Sequence, residues 1–390
     1  MKDKARGFDE VVAHYRAVIA AEEGVKARRA GDFVPNVDAI TAEWLTDVLC
    51  RDLPGRKVVD FRIEPVSEGT HARHRIHLTY NEAGDPRELP ATLFTKSLPT
   101  VQHRMIAGQT KHARTEAGFF NQIRPELGGL EIPVGYHSIT SRETSATLHL
   151  LEDLVATKGA EFCDYRTYVS QPEAEDMVTL LASLHGHFHD DPRFENELGW
   201  ITPYDRWYMG GVKKFQMDRY TAMAFREAAH VIPAGLLARS EELVPATVRT
   251  LAVHRTASTT FLHSDVHIGN WYRTAAGRMG LTDWQCAARG HWSRDLAYVI
   301  SAALTIEDRR AWERDLVRCY LQQLQSSTGR KFDENETWAL YRQQLLHAIQ
   351  MWTLTLCHAD YVPDMQPEAV SLAMIERMAA AIDDLDALDA

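Results

Sequence analysis

His263-Ser264-Asp265-Val266-His267-Ile268-Gly269-Asn270, followed thirteen positions on by Asp283-Trp284-Gln285, is the stretch on which the reading of this chain turns. An aspartate, an amide five residues later and a second aspartate beyond a short hairpin are the groups that phosphoryl transfer requires: one carboxylate for an acceptor hydroxyl, two oxygen ligands for magnesium. Thr259-Thr260-Phe261-Leu262 reads as a buried strand entering the loop. Trp271-Tyr272-Arg273 and Met279-Gly280-Leu281 read as short strands joined by a turn at Ala275-Ala276-Gly277. A hairpin returns the chain to its starting point, so Asn270 at its entrance and Asp283 past its exit face the same spot as Asp265. Three such side chains together invite a hard cation, without which the two aspartates repel.

Two other readings compete. Asp, Asn and Gly are ordinary turn formers, and any one of them alone could merely shape a loop. His263, Asp265 and His267 alternate, so on an extended backbone they share one face and could hold zinc or manganese in a hydrolase. That second reading leaves Asn270 and Asp283 without a task.

The first third of the chain offers parts for a nucleotide. Arg75-Ile76-His77-Leu78-Thr79-Tyr80 alternates like a half-exposed strand, Asn81 to Asp85 supplies a turn, and Ala91-Thr92-Leu93-Phe94-Thr95-Lys96 returns as its partner. A lysine at that strand end can reach the α- and β-phosphates if something holds it. Glu116 is the expected holder, ahead of Glu126. It lies on the helical stripe of Ala113, Ala117 and Phe120, where a carboxylate is costly unless paired. Val66-Ser67-Glu68-Gly69-Thr70-His71-Ala72 is the candidate phosphate-covering loop, with Ser67, Gly69 and Thr70 as contacts; a plain turn explains it nearly as well.

The catalytic run resembles that of the aminoglycoside phosphotransferase superfamily, whose pattern H-x-D-x-H-x-G-N, D-W/F-E/Q and G-x-x-x-x-D-L-A continues here as Gly290-His291-Trp292-Ser293-Arg294-Asp295-Leu296-Ala297. The wording is closest to the ecdysteroid-kinase-like and CHK-kinase-like branch, with Ala42-Glu43-Trp44-Leu45-Thr46-Asp47-Val48-Leu49 and Leu150-Leu151-Glu152-Asp153-Leu154 as supporting matches. This resemblance implies an α+β, protein-kinase-like bilobal fold with a small antiparallel-sheet N-lobe and a larger, mostly helical C-lobe. It implies ATP and Mg2+ as cofactors. Asp265 would accept the proton of the substrate hydroxyl, Asn270 would bind one magnesium, and Asp283 would bridge magnesium to the β- and γ-phosphates. His263 would brace the loop, and Asp295 would be structural, as a cap or first-turn acid. The expected layout is a leader helix and loop over 1–40, a nucleotide lobe over 41–150, a hinge at 151–156 and a helical lobe over 157–390. At the hinge, backbone groups of Glu152, Asp153 and Leu154 would face the adenine.

Composition sets outer limits. A chain of 390 residues with 45% apolar content can bury more than one core. Its five cysteines are odd in number and show no C-x-x-C spacing, against a disulfide framework or a cysteine zinc site and for a reducing, cytoplasmic setting. No uninterrupted apolar run is long enough to span a bilayer. The formal charge of −11 argues against a nucleic-acid partner, which would need a basic stripe. The acidic ending Asp383 to Asp389 reads as a solvated tail. In His185-Gly186-His187-Phe188-His189 the i, i+4 pair could chelate, but without H-E-x-x-H context His185 reads as a core histidine.

The acceptor is where the sequence says least. Trp207, Tyr208, Trp271, Trp292 and Trp352 are aromatic candidates for a pocket that would suit a small, largely apolar alcohol; as ordinary core they would say nothing of substrate. An aminoglycoside or choline-type acceptor is the alternative, the latter through an aromatic cage. A catalytically inactive nucleotide-binding scaffold would be of another class. H-R-D, D-F-G and A-P-E are missing, against a protein kinase.

Overall fold

The computed structural model describes residues 8–68, 71–82, 89–109, 111–359 and 364–390. They divide into two compact units, Met1–Gly128 with Ile132–Ala160, and Gly129–Glu131 with Glu161–Ala390.

Unit 1 is built on an antiparallel sheet of β1 (Val58–Glu68), β2 (Ala72–Tyr80), β3 (Thr92–Ser97), β4 (Gly135–Thr140) and β5 (Thr147–Glu152), in the order β1-β2-β3-β5-β4. Its helices are α1 (Phe8–Glu22), α2 (Ala42–Leu49), α3 (Val101–Gln109), α4 (His112–Gly118) and α5 (Leu154–Lys158). Alternation decides which side of the sheet each residue serves. Ile76, Leu93, Leu148 and Leu150 pack with Trp44 and Leu45 of α2 and with Ala27, Val34, Val37, Ala39 and Ile40 ahead of it. The stretch from Ala27 to Ile40, expected to belong to a separate leader, is therefore part of this core. Thr41 caps α2 by accepting the Trp44 N–H at 3.1 Å. The α1 helix is tied to α3 by Glu22, whose carboxylate meets the Arg104 guanidinium at 2.5 and 2.8 Å with both side chains buried.

Unit 2 is mostly helical, with β6 (Glu161–Phe162), α6 (Gln171–His187), α7 (Tyr204–Lys214), α8 (Met217–Glu227), α9 (Ala234–Ala238), α10 (Leu243–Thr250) and α11 (Val253–Thr256). Then come β7 (Thr260–Leu262), β8 (Trp271–Arg273), β9 (Met279–Leu281), β10 (Ala288–Gly290), α12 (Ser293–Ala303), α13 (Ile306–Thr328), α14 (Glu334–Leu356) and α15 (Glu368–Asp384). Every residue of α12 is buried, which makes it the axial element of the unit. The acidic ending is docked while its carboxylates stay exposed: Asp384 accepts from Arg309 and from Arg310 at 2.7 Å, and Asp389 from Arg239 at 2.8 Å. Ala387 and Leu388 are buried with it. Among the described residues no helix is long and apolar enough to cross a membrane.

The division between units falls after Ala160, so the stretch expected as a hinge lies inside unit 1. Glu152 ends β5, its carboxylate accepting from Val134 N at 3.0 Å and Thr157 Oγ1 at 2.8 Å. Asp153 caps α5 and accepts from Arg75 Nε at 2.6 Å.

Replacing Glu22 with Ala would leave the Arg104 charge buried without its carboxylate, a loss of roughly 3–5 kcal/mol. Thermal unfolding should show a clearly lowered midpoint for that variant, and an unchanged midpoint would mean the pair does not hold α1 in place.

Candidate active site

The run from His263 to Asp283 sits in a closed circuit of chain. β7 pairs antiparallel with β10, Leu262 opposite Ala288 and Thr260 opposite Gly290. Between them the loop 263–267, a 3-10 turn Ile268–Asn270, the β8–β9 hairpin and a second short turn after Asp283 are confined to a small space. The hairpin has Trp271 opposite Leu281, and Gly277 takes up the left-handed turn position at φ 76°. Pairing continues one step past the strands: Thr282 N donates to the Asn270 carbonyl at 2.8 Å and Thr282 Oγ1 to the same oxygen at 3.0 Å. Asp283, in the left-handed region at φ 65°, therefore follows directly on the residue paired with Asn270.

Asp295 holds the loop from beneath. From the first turn of α12 its carboxylate accepts the backbone N–H of His263 at 2.7 Å and of Ser264 at 3.1 and 3.2 Å. Ser264 lies at φ 66°, a conformation that side chains other than glycine adopt at a cost, and these bonds offset it. Burial pushes the Asp295 carboxyl up, but His185, 3.5 Å away, Arg294 and His263 outweigh it and leave it below the usual range. His185, read as a core histidine, is fully buried with Nδ1 2.7 Å from the Tyr320 hydroxyl. Arg294 is wholly buried, donating to the Tyr204 hydroxyl at 2.9 Å and to the Ser264 carbonyl at 3.3 Å.

His263 has no capacity left for a metal. Its Nδ1 accepts the Asp265 N–H at 3.2 Å, so its proton sits on Nε2, which donates to the Thr282 carbonyl at 2.9 Å. Burial pulls its pKa down and keeps it neutral. The alternating His263, Asp265 and His267 thus do not form a zinc or manganese set, because His263 is spent as a backbone brace between loop and hairpin. Asn270 Nδ2 donates to the Asp265 carbonyl at 2.7 Å and to Asp265 Oδ2 at 3.3 Å, which turns its Oδ1 away as a ligand oxygen. Asn270 Oδ1 and the Asp283 carboxylate are hard oxygen donors set one paired residue apart, and that donor set suits Mg2+.

In unit 1, Lys96 Nζ donates to Glu116 Oε1 at 2.7 Å, with Lys96 nearly and Glu116 fully buried, as the apolar stripe of α4 required. His149 stands opposite Lys96 in the β3–β5 register and brings Nε2 within 3.6 Å of Glu116 Oε2. Ser67 is in β1 opposite Arg73, at an irregularity in the pairing. Gly69 and Thr70 lie outside the described residues. The side chains of Glu152 and Asp153 are committed to Val134, Thr157, Arg75 and the α5 cap, Leu154 is buried, and much of the backbone is bonded too, with Glu152 N donating to the Val134 carbonyl at 2.8 Å and the Asp153 carbonyl accepting from Thr157 N at 2.9 Å.

The aromatic candidates turn out to be mostly interior. Trp271 is wholly buried and donates through Nε1 to the Val266 carbonyl at 3.1 Å. Trp292 packs on Tyr320 at 5.4 Å between ring centroids, and Tyr208 donates to Gln350 inside the helical core. Only Trp207 is half-buried, stacked on Tyr204 at 5.8 Å. Trp352 is buried, and its Nε1 donates to the Tyr298 hydroxyl at 2.8 Å. Tyr298 in turn lies 3.2 Å from Asp265 Oδ1. Sequence reasoning missed Tyr298 and the bracing role of Asp295; the only signal was the D-L-A match, which Tyr298 directly follows.

An antiparallel-sheet unit followed by a helical unit carrying this loop is the architecture of a kinase-like phosphotransferase. The family model described as the phosphotransferase enzyme family (APH) matches residues 104–331, more than half of the chain, and the chain belongs to that family. Among solved structures it is similar to a Plasmodium vivax ethanolamine kinase, at 9% identity and a TM-score of 0.47 over 100% of this chain and 97% of that one. A choline kinase from Cryptosporidium parvum Iowa II matches at 9% identity and 0.46, over 84% and 88%. A macrolide 2'-phosphotransferase from Brachybacterium faecium matches at 14% and 0.44, over 85% and 97%. Likeness at this level says nothing about the acceptor. No curated protein sequence matches the chain.

Next to the loop, His254 and His291 are buried as neutral rings. His254 Nδ1 accepts the His291 N–H at 3.0 Å with Nε2 facing Gln344 Oε1 at 3.0 Å, and His291 Nδ1 lies 2.7 Å from Ser293 Oγ. Burial lowers both pKa values from 6.5 to about 3. The unfolded chain therefore takes up protons below its ordinary imidazole pKa while the folded one does not. Stability should fall as pH drops from about 6.5 toward 3, by up to roughly 1.4 kcal/mol per pH unit for each ring. Urea unfolding at pH 7, 6 and 5 checks this, the upper part of the window being clear of carboxylate titration; equal midpoints would contradict it.

Proposed function

We propose that this phosphotransferase is ATP- and Mg2+-dependent and moves the γ-phosphoryl group to a hydroxyl of a small, largely apolar alcohol, in the manner of the ecdysteroid-kinase-like branch. The observation that carries the reading is Asn270, whose carboxamide donates to Asp265 while its backbone carbonyl accepts from Thr282, the residue before Asp283. Asp265, half-buried and with its carboxylate oriented by Asn270, accepts the proton of the acceptor hydroxyl. Asn270 and Asp283 would hold the metal, which when bound would supply positive charge against the charge that develops on the phosphates. Lys96, fixed by Glu116, serves the α- and β-phosphates, and the backbone of residues 152–154 serves the base.

An apolar acceptor is supported by the half-buried Trp207, Val212, Phe215, Met351, Cys357 and Ala359. They pack on the core cluster that includes Leu262, the last strand residue before the catalytic loop. The thiols of Cys50, Cys163, Cys319 and Cys357 are unbridged, in keeping with a cytoplasmic setting.

ADP release across a panel of sterols, terpenols, sugars, amino sugars and choline tests the acceptor class: response to the apolar alcohols is expected, and response confined to amino sugars or choline would refute it. Asp265→Asn should slow turnover by roughly 100- to 10,000-fold while nucleotide affinity holds. A fully active variant would remove Asp265 from the mechanism. Asp283→Ala should abolish the rise in melting temperature that MgATP gives the wild type; a retained shift would assign the metal elsewhere.

A further inference from the structure

Asp265 is the residue on which the proposed reaction turns, and the inference about its neighbours rests on that reading. We propose that Tyr298 is a positioning residue for Asp265, and that Trp352 fixes the direction in which the Tyr298 hydroxyl points. An indole N–H can only donate. With Trp352 Nε1 2.8 Å from the Tyr298 hydroxyl, the phenol oxygen accepts there, and its single proton is directed to Asp265 Oδ1 at 3.2 Å. The tyrosine ring cannot swing: it belongs to the wholly buried α12, and the Arg294 guanidinium covers it at 4.7 Å from the ring centroid. Arg294 also donates to the carbonyl of Ser264, so the group that covers Tyr298 grips the residue beside Asp265.

The other carboxylate oxygen faces a matching arrangement. Asn270 Nδ2 is 3.3 Å from Asp265 Oδ2, and His267 Nε2 is 3.7 Å from it. His267 Nδ1 accepts the Gly269 N–H at 3.1 Å, which leaves the ring proton on Nε2, the side toward Asp265. The His267 ring stands edge-on to Trp352 at 5.1 Å, so the indole supports both flanks of the carboxylate. Burial, and then the charge of Asp265, raise the Tyr298 pKa well above its ordinary value, so the phenol keeps the proton it donates. A carboxylate held at both oxygens cannot rotate about its last bond, and it meets the acceptor hydroxyl in one orientation. Trp352, expected to line the acceptor pocket, acts instead through Tyr298.

Tyr298→Phe removes one oxygen and keeps the ring. Its kcat should fall roughly 10-fold or more with KM for MgATP unchanged, since the lost bond orients the base and touches no nucleotide. Trp352→Phe should lower kcat less, and adding it to Tyr298→Phe should cost less than it costs alone. Adding Tyr298→Phe to Asp265→Asn should also have no effect, because the carboxylate it orients is already gone. Turnover is read with the alcohol that gives the fastest ADP release, or as acceptor-free hydrolysis of MgATP if none responds. Wild-type kcat in Tyr298→Phe alongside a slow Asp265→Asn would overturn the inference and leave the reading of Asp265 standing. A fully active Asp265→Asn would overturn both. Should the wild type show neither activity, crystals of wild type and Tyr298→Phe decide: the Asp265 side chain is expected to leave its position in the variant, and an unmoved carboxylate overturns the inference.

Discussion

The bonds from the Asp295 carboxylate to the His263 and Ser264 N–H groups are the constraint on which the site depends. They set the entrance of the loop on α12, the most deeply buried helix of its unit, and they hold Ser264 in a left-handed conformation that turns the following residue outward. A loop alone would explore several shapes, and each buried N–H left without an acceptor would carry a penalty of about 1–3 kcal/mol. One carboxylate satisfies both and selects a single shape. His263 then ties the loop to the hairpin exit through the Thr282 carbonyl, so two loop segments move as one.

The same pairing recurs at other buried charges among the described residues. Lys96 meets Glu116, Arg104 meets Glu22, Arg309 meets Glu313 and Asp384, and Arg294 lies beside Asp295 under two tyrosine rings. Lys96–Glu116, Arg104–Glu22 and Arg309–Asp384 each join separate elements, and each is costly if only one member remains. Specific placement comes from these pairs, while the helices supply bulk burial. The chain can therefore keep a site of partly exposed carboxylates on a framework braced by buried ion pairs.

Local pattern made much of this visible. The β8–β9 hairpin follows from two short apolar runs around a glycine turn, and β2 and β3 from alternation. Glu116 on the stripe of Ala113 and Ala117 announced a partner because a lone carboxylate there is untenable, and Lys96 is that partner. Other features had no local signature. Asp295 read as a helix-start acid because its true partners lie 31 and 32 residues away. Trp271, Trp292 and Trp352 read as pocket candidates because aromatic residues look alike in a sequence whether they meet a ligand or each other. The acidic ending read as solvated because Arg309, Arg310 and Arg239 are far off along the chain.

By itself, the sequence determined the spacing that sets Asp265, Asn270 and Asp283 around one short hairpin and marked them as the candidates for the chemistry, since a hairpin between them leaves the backbone little choice. Only the tertiary structure decided how those side chains are aimed. The acceptor of each loop N–H, the tautomer of His263 and the donor for Asp265 Oδ1 come from α12, α14 and the loop's own contacts, and side-chain direction is a matter of which distant groups share the same few ångströms.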